Sequence, residues 1–181
     1  MGVAERRRII SVSVIEQVTV REERVDDHAV IRHVNESAFG TAEEADLIEA
    51  LRTEGVVLLS AVAEVDGQIV GHVLFSRIWV DAATPVEAVA LAPVAVLPSH
   101  QRRGIGDRLI RYGLEALRAF GERIVIVVGH PTYYPRFGFS TELSRRIGSP
   151  FPPDAFMALE LTPGALTGVR GWVRYPRAFG L

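Results

Sequence analysis

Val94-Ala-Val-Leu-Pro-Ser-His-Gln-Arg-Arg-Gly-Ile-Gly-Asp-Arg-Leu-Ile-Arg-Tyr-Gly-Leu-Glu-Ala-Leu-Arg-Ala-Phe120 joins the end of an apolar strand to a long amphipathic helix. Within it Ile105, Leu109, Ile110, Gly113, Leu114, Ala116, Leu117 and Phe120 form one stripe at helical spacing. Asp107, Arg111, Glu115 and Arg118 lie on the opposite face, three or four residues apart, where ion pairs form. Gly121 supplies the stop. Between strand and helix stand Gln101, Arg102, Arg103, Gly104, Ile105 and Gly106. A helix start leaves amides unpaired at the positive end of its dipole, and glycine lets backbone approach an anion closely, so this junction reads as a phosphate cradle. A dinucleotide fingerprint would require a small residue where Leu109 stands and glycines directly after the strand.

Working outward, Ile124 to Val128 is a short continuous apolar strand. The strand, helix, strand order makes it a parallel partner of Val86 to Val96. Pro93 cannot donate to a sheet ladder, so the earlier strand must bulge or lie unpaired there. Upstream, Asp66-Gly67 matches a two-residue hairpin turn between Leu58–Val65 and Gln68–Trp79. Val18 to Arg24 reads as a strand, Asp26 or Asp27 as the cap of a helix, and Thr41 with Glu44 as a capping box opening a second helix over Ala42–Thr53. Downstream, Phe156–Leu161 and Val169–Tyr175 read as strands. The expected fold is α/β of the α+β type, a mixed, mostly antiparallel sheet with helices on both faces. At about 150 residues per domain, the 181 residues fit one domain over 18–181 after an N-terminal arm over 1–17.

Composition closes off several kinds of chemistry. The chain has 20 basic and 22 acidic residues, net charge −2, so it lacks the positive field that holds nucleic acid or anionic lipid. It has no Cys, which removes thiol nucleophiles, thiolate metal sites and disulfides. It has no Lys, so neither a side-chain Schiff base nor a Walker A loop is available. No two of its five histidines stand at i, i+4, and no G-x-S-x-G elbow occurs, so no metal centre and no hydrolase of that kind is expected. No apolar run approaches the ~18 residues of a membrane span. The basic start Arg6–Arg8 precedes only seven residues, Ile9–Ile15, before Glu16, which makes a cytoplasmic location the expectation.

The run Val94 to Pro98 followed by Gln101-Arg-Arg-Gly-Ile-Gly106 resembles the acetyl-CoA signature of the GNAT N-acetyltransferases. Gly129-His-Pro-Thr-Tyr-Tyr-Pro-Arg-Phe-Gly-Phe139 and the chain end from Phe156 to Tyr175 are similar to the YhbS-like branch of that superfamily. The resemblance covers roughly Val18 to Gly180 and implies an acetyl-CoA-dependent enzyme. In such a fold the sheet splays at a bulge beside Pro93. Val94, Ala95 and Val96 lie along the pantetheine arm, and residues 101–106 hold the pyrophosphate, with Arg102, Arg103 and Tyr133 nearby.

The resemblance also implies a tyrosine general acid, Tyr134, with Tyr133 as the alternative. For a base it leaves open Glu87, His72 or ordered water alone. The implied acceptor is a small-molecule or peptide amine, with nucleic acid and membrane excluded. Its pocket is expected from the first two helices and the loop Ser140–Ala155. Glu36, Glu43, Glu44 and Asp46 suit a cationic amine, although an ordinary polar helix face explains them as well. A homodimer using Trp172 and Tyr175 is a further expectation. A different class, an acyl-CoA-binding regulatory module without turnover, would keep the same cradle.

Overall fold

A computed structural model describes residues 17–181, so apart from Gln17 the expected N-terminal arm lies outside the described residues. The elements in chain order are β1 (Val18–Glu22), α1 (His28–Phe39), α2 (Glu43–Glu54), β2 (Val57–Val65), β3 (Gln68–Asp81), β4 (Val86–Val96), α3 (Ile105–Ala119), β5 (Ile124–Val128), α4 (Thr141–Ser144), β6 (Ile147–Gly148), β7 (Phe156–Glu160) and β8 (Gly171–Arg174). The sheet runs β1-β2-β3-β4-β5-β7, with β8 pairing the far end of β3 and also β6. Neighbours are antiparallel except β4 with β5 and β6 with β8. The mixed, mostly antiparallel sheet read from the sequence is therefore the one observed.

Local chemistry accounts for the joints. Asp66 and Gly67 have φ of 50° and 76°, the doubly left-handed turn whose twist matches two antiparallel strands. Pairing of β3 with β4 steps from Val73↔Val94 to Phe75↔Leu91, two residues on one strand against three on the other. Ala92 and Pro93 supply the extra residue, which is the bulge expected at Pro93.

The helix starts differ from expectation. Asp27 is spent on the chain before α1, where its carboxylate accepts the Arg24 amide and an Arg21 guanidinium N–H, each at 2.7 Å. At α2, Ala42 is the N-cap, with no side-chain cap. The Thr41 hydroxyl donates to Glu44 at 3.2 Å instead of accepting a backbone amide, so the capping box does not form.

The two faces of the sheet carry different layers. On one, α3 sets Ile105, Leu109, Ile110 and Leu117, all fully buried, against Ala61, Val73, Phe75, Val89 and Val125. Each is worth about 1.5–3 kcal/mol of transfer from water. On the other, Ile31 of α1 and Ile48 and Leu51 of α2 cover Val62 and Leu74.

Gly113 marks the closest approach of α3 to the sheet, since a Cβ there would stand 2.1 Å from a ring carbon of buried Phe75. Gly113→Ala is expected to destabilise the fold by about 1–3 kcal/mol, despite the better helix propensity of Ala. Urea unfolding would check this, and a variant as stable as the parent would contradict the packing. Of the two aromatics expected at an interface, Trp172 is exposed, whereas Tyr175 turns inward against Phe151 and Phe179.

Candidate active site

The bulge opens the sheet. β4 and β5 pair only at Val89↔Val125 and Ala90↔Ile126, and beyond that point the strands diverge. β5 remains attached to β7 along its whole length, so it is β4 that peels away. The Leu97 amide donates to Val70 O at 2.9 Å, fixing the odd residues near the end of β4 as those bonded to β3. Alternation then turns the backbone groups of Val94 and Val96 to the open edge. Ala95 pairs with His72 and is buried, so it faces the sheet and not the gap.

The open edge runs into the start of α3. Gly104, with φ +76°, is the N-cap, and Arg102 adopts φ +61°, so the chain turns sharply before the helix. The first helical bond runs from the Arg108 amide to Gly104 O at 3.1 Å, leaving the amides of Ile105, Gly106 and Asp107 without helical acceptors. The Gln101 side chain donates to Val96 O at 3.0 Å and ties this loop to the strand end. A Cβ on Gly106 would sit 3.0 Å from the Tyr133 hydroxyl, so a side chain there would fill the approach to the amides. Together these residues line a cleft of about 530 Å³.

The sequence reading missed three other residues of that cleft: His100, Asp107 and Arg136. Asp107 would repel an anion at the helix start. It accepts a hydrogen bond from Tyr133 at 2.9 Å and lies 3.5 Å from Arg136, which offsets its charge. Arg136 is held over the Tyr133 ring at 4.5 Å and donates to Tyr133 O at 3.0 Å. The only trace of this in the sequence is the Tyr-Tyr-Pro-Arg spacing, which a 3-10 turn folds back on itself.

The two tyrosines differ in what their hydroxyls do. Tyr133 is committed to Asp107, and burial together with that bond drives its pKa upward. Tyr134 is pushed up by burial alone, and its hydroxyl has no protein partner among the described residues. Its ring packs edge-on against Tyr133 and Phe139, at 5.1 and 5.9 Å between centroids. It also lies over Gly129, where a Cβ would come within 2.2 Å of it. Tyr134 and Val94 line both the 530 Å³ cleft and a second cavity of about 330 Å³ on the far side of the gap.

The other sequence-selected residues are spread out. Gln101, Arg102, Gly104, Ile105, Gly106, Val94, Val96, Tyr133 and Tyr134 meet in the cleft; Ala95 and Arg103 do not line it. Glu87 lies near the opposite end of β4, its side chain 70% exposed and 3.6 Å from Arg77. His72 is fully buried between α1 and the sheet, with Nδ1 3.2 Å from Asn35 Nδ2 and Nε2 2.8 Å from Ser60 Oγ. Burial, reinforced by the Arg52 charge, lowers its pKa to about 3. Neither candidate base reaches the cleft.

Residues 20–139 match the model of the acetyltransferase (GNAT) family. The uncharacterized N-acetyltransferase YjhQ of Escherichia coli is 44% identical over 117 residues, which span 62% of this chain and 64% of YjhQ. The uncharacterized N-acetyltransferase YhbS of the same species is 34% identical over 145 residues, 78% of this chain and 86% of YhbS. Among solved structures, YhbS in complex with CoA superposes with a TM-score of 0.85 at 32% identity, covering 92% of this chain and 93% of that one. A GNAT acetyltransferase of Brucella melitensis in complex with acetyl-CoA gives 0.76 at 36% identity, covering 91% and 99%. With a family match over residues 20–139 and relatives of this identity matched along most of their length, the chain belongs to the GNAT acetyltransferase family.

Proposed function

We propose that the protein transfers an acetyl group from acetyl-CoA to a primary amine by direct attack, with Tyr134 as general acid. The observation that carries this reading is the position of a half-buried phenol, without a protein partner among the described residues, at the junction of two cavities, one on each side of the splayed strands. The cleft residues fit the cosubstrate. The amides of Ile105, Gly106 and Asp107 would bind the pyrophosphate, with Arg102 beside them. Val94 and Val96 would pair with the pantetheine amides as a strand pairs with a peptide. Relatives of 32% and 36% identity hold CoA and acetyl-CoA, which supports the same ligand here.

In the reaction the amine nitrogen bonds to the thioester carbonyl carbon and the C–S bond breaks. Tyr134 donates its proton to the leaving sulfur, the neutral amine that attacked gives up one proton, and a proton returns through water to the Tyr134 oxygen, so an amide, free CoA and the restored phenol result. Only about one in a few thousand lysine-like amines is neutral at pH 7, so deprotonation matters. With Glu87 and His72 remote from the cleft, water takes that proton. Acetyl-CoA with a panel of primary amines is expected to release free thiol in proportion to acetylated amine, measured by thiol titration and mass spectrometry. Tight CoA binding with no thiol release from a broad panel would replace this reading with that of a silent binding module.

A further inference from the structure

The second cavity narrows the acceptor, and this step rests on the acetyl-transfer reading above. At one side it shares Val94 and Tyr134 with the cofactor cleft. At another it shares Glu44, Leu47 and Phe179 with an open depression that also includes Glu43 and Asp46. The three hollows therefore form a series, with the 330 Å³ chamber in the middle. Its walls are apolar and aromatic. Phe151, Tyr175 and Phe179 pack at 5.7 and 4.8 Å between successive ring centroids, and Phe39 and Leu47 reach in from the helices.

Glu44 is the one charged side chain in the lining of that chamber. It is half-buried on the first turn of α2, and its hydrogen-bond partner is Thr41 at 3.2 Å. The nearby guanidinium of Arg32 is committed to Glu36 and Asp46, at 3.1 and 2.9 Å, so Glu44 has no ion-pair partner among the described residues. A carboxylate beside apolar walls attracts a cation more strongly than one in open water, and adjacent aromatic faces add to that attraction. It lies where the chamber meets the outer depression, whereas the reacting nitrogen must lie at Tyr134.

We propose that the acceptor is a small dicationic amine: one nitrogen reacts beside Val94 and Tyr134, and a second cationic group, joined to it by an apolar linker, pairs with Glu44. The second group keeps its charge and its protons throughout; only the inner nitrogen gains the acetyl group. A chamber of this size, near the lower end for small-molecule sites, suits a short linear molecule. A monoamine of equal length would fill the walls but leave the Glu44 carboxylate without an ion-pair partner.

The test compares cadaverine with n-pentylamine and phenethylamine, using kcat/KM for acetylation and calorimetric binding to the CoA-loaded protein, in the parent and in Glu44→Gln. Pairing with a charged group predicts a preference for cadaverine over n-pentylamine of about 10- to 100-fold. In Glu44→Gln that ratio is expected to fall toward one. Because the readout is a ratio within one variant, a general loss of folded protein cancels. A parent that takes n-pentylamine or phenethylamine as readily as cadaverine overturns the inference while leaving acetyl transfer intact. An equal loss for both amines in Glu44→Gln does the same. Selective cadaverine binding that depends on Glu44, without acetylation of any amine, supports the chamber assignment and overturns the acetyl-transfer reading.

Discussion

Tyr134→Phe is expected to lower kcat for acetyl transfer by about 10²- to 10⁴-fold while leaving CoA affinity within a few-fold of the parent. The ring keeps its edge contacts with Tyr133 and Phe139 and its seat over Gly129, so only the proton-bearing oxygen is lost. That oxygen has no protein partner among the described residues, so its removal strands no buried donor or acceptor and should cost little stability. Tyr133→Phe is the contrasting variant. It deletes the 2.9 Å bond to Asp107 and frees a carboxylate at the helix start, so its effect should fall on CoA binding. Steady-state kinetics with CoA titration on both variants separates the roles. A Tyr134→Phe enzyme within threefold of parental kcat would remove this residue from the chemistry. Burial also pushes the Tyr134 phenol above its ordinary value of 10, so it stays protonated into alkaline solution. The parent kcat should therefore rise with pH as the amine is deprotonated, without an alkaline decline below about pH 10.

Local patterns made much of the fold legible. Strand β4 follows the bounds Val86–Val96 read from the sequence, the stripe of α3 faces the sheet from Ile105 to Leu117 while Phe120, just past the helix end, is exposed, and Pro93 lies in the bulge. The cradle was legible because it is one contiguous stretch, Gln101–Gly106, whose function depends on backbone amides. Groups brought together from distant parts of the chain were not. Glu87 lies seven residues before Val94 on the same strand, a separation of about 23 Å at strand rise, too far to reach the cleft. For His72, alternation along β3 gives two faces, and only the position of Asn35 on α1 shows which of them covers it. The two and four residues of β6 and β8 are too few to display a period, so their pairing depends on the loops around them. Tyr175 similarly looks like a surface aromatic until Phe151 and Phe179 close over it.

His72 leads to the second large expected effect, on stability. The Asn35 amide nitrogen donates to Ile31 O at 2.8 Å and faces His72 Nδ1 at 3.2 Å, which makes Nδ1 an acceptor. Nε2 then carries the proton and donates to Ser60 Oγ at 2.8 Å, and the Ser60 hydroxyl donates to Glu23. Every donor in this relay points one way, so the imidazole is held neutral, and a second proton on Nδ1 would meet the Asn35 N–H head-on. Glu23 does not rescue the cation, because Arg52 already pairs with it at 2.6 Å. Burial first and Arg52 second depress the folded-state pKa to about 3, against 6.5 for the free side chain. Above pH 7 both folded and unfolded chains carry neutral His72, and the group contributes no pH dependence. As pH falls below 6.5 the unfolded chain takes up a proton that the folded one refuses. Unfolding free energy is then lost at roughly 1.4 kcal/mol per pH unit until the folded state protonates near pH 3. Urea unfolding from pH 7.5 to 4.5 should show this slope in the parent and not in His72→Gln, whose amide cannot titrate. NMR of the parent supplies a check that needs no variant: the His72 ring resonances should not move between pH 7.5 and 4.5. A titration midpoint near 6.5 would mean that the relay is open to water and that this histidine is available to act as a base after all.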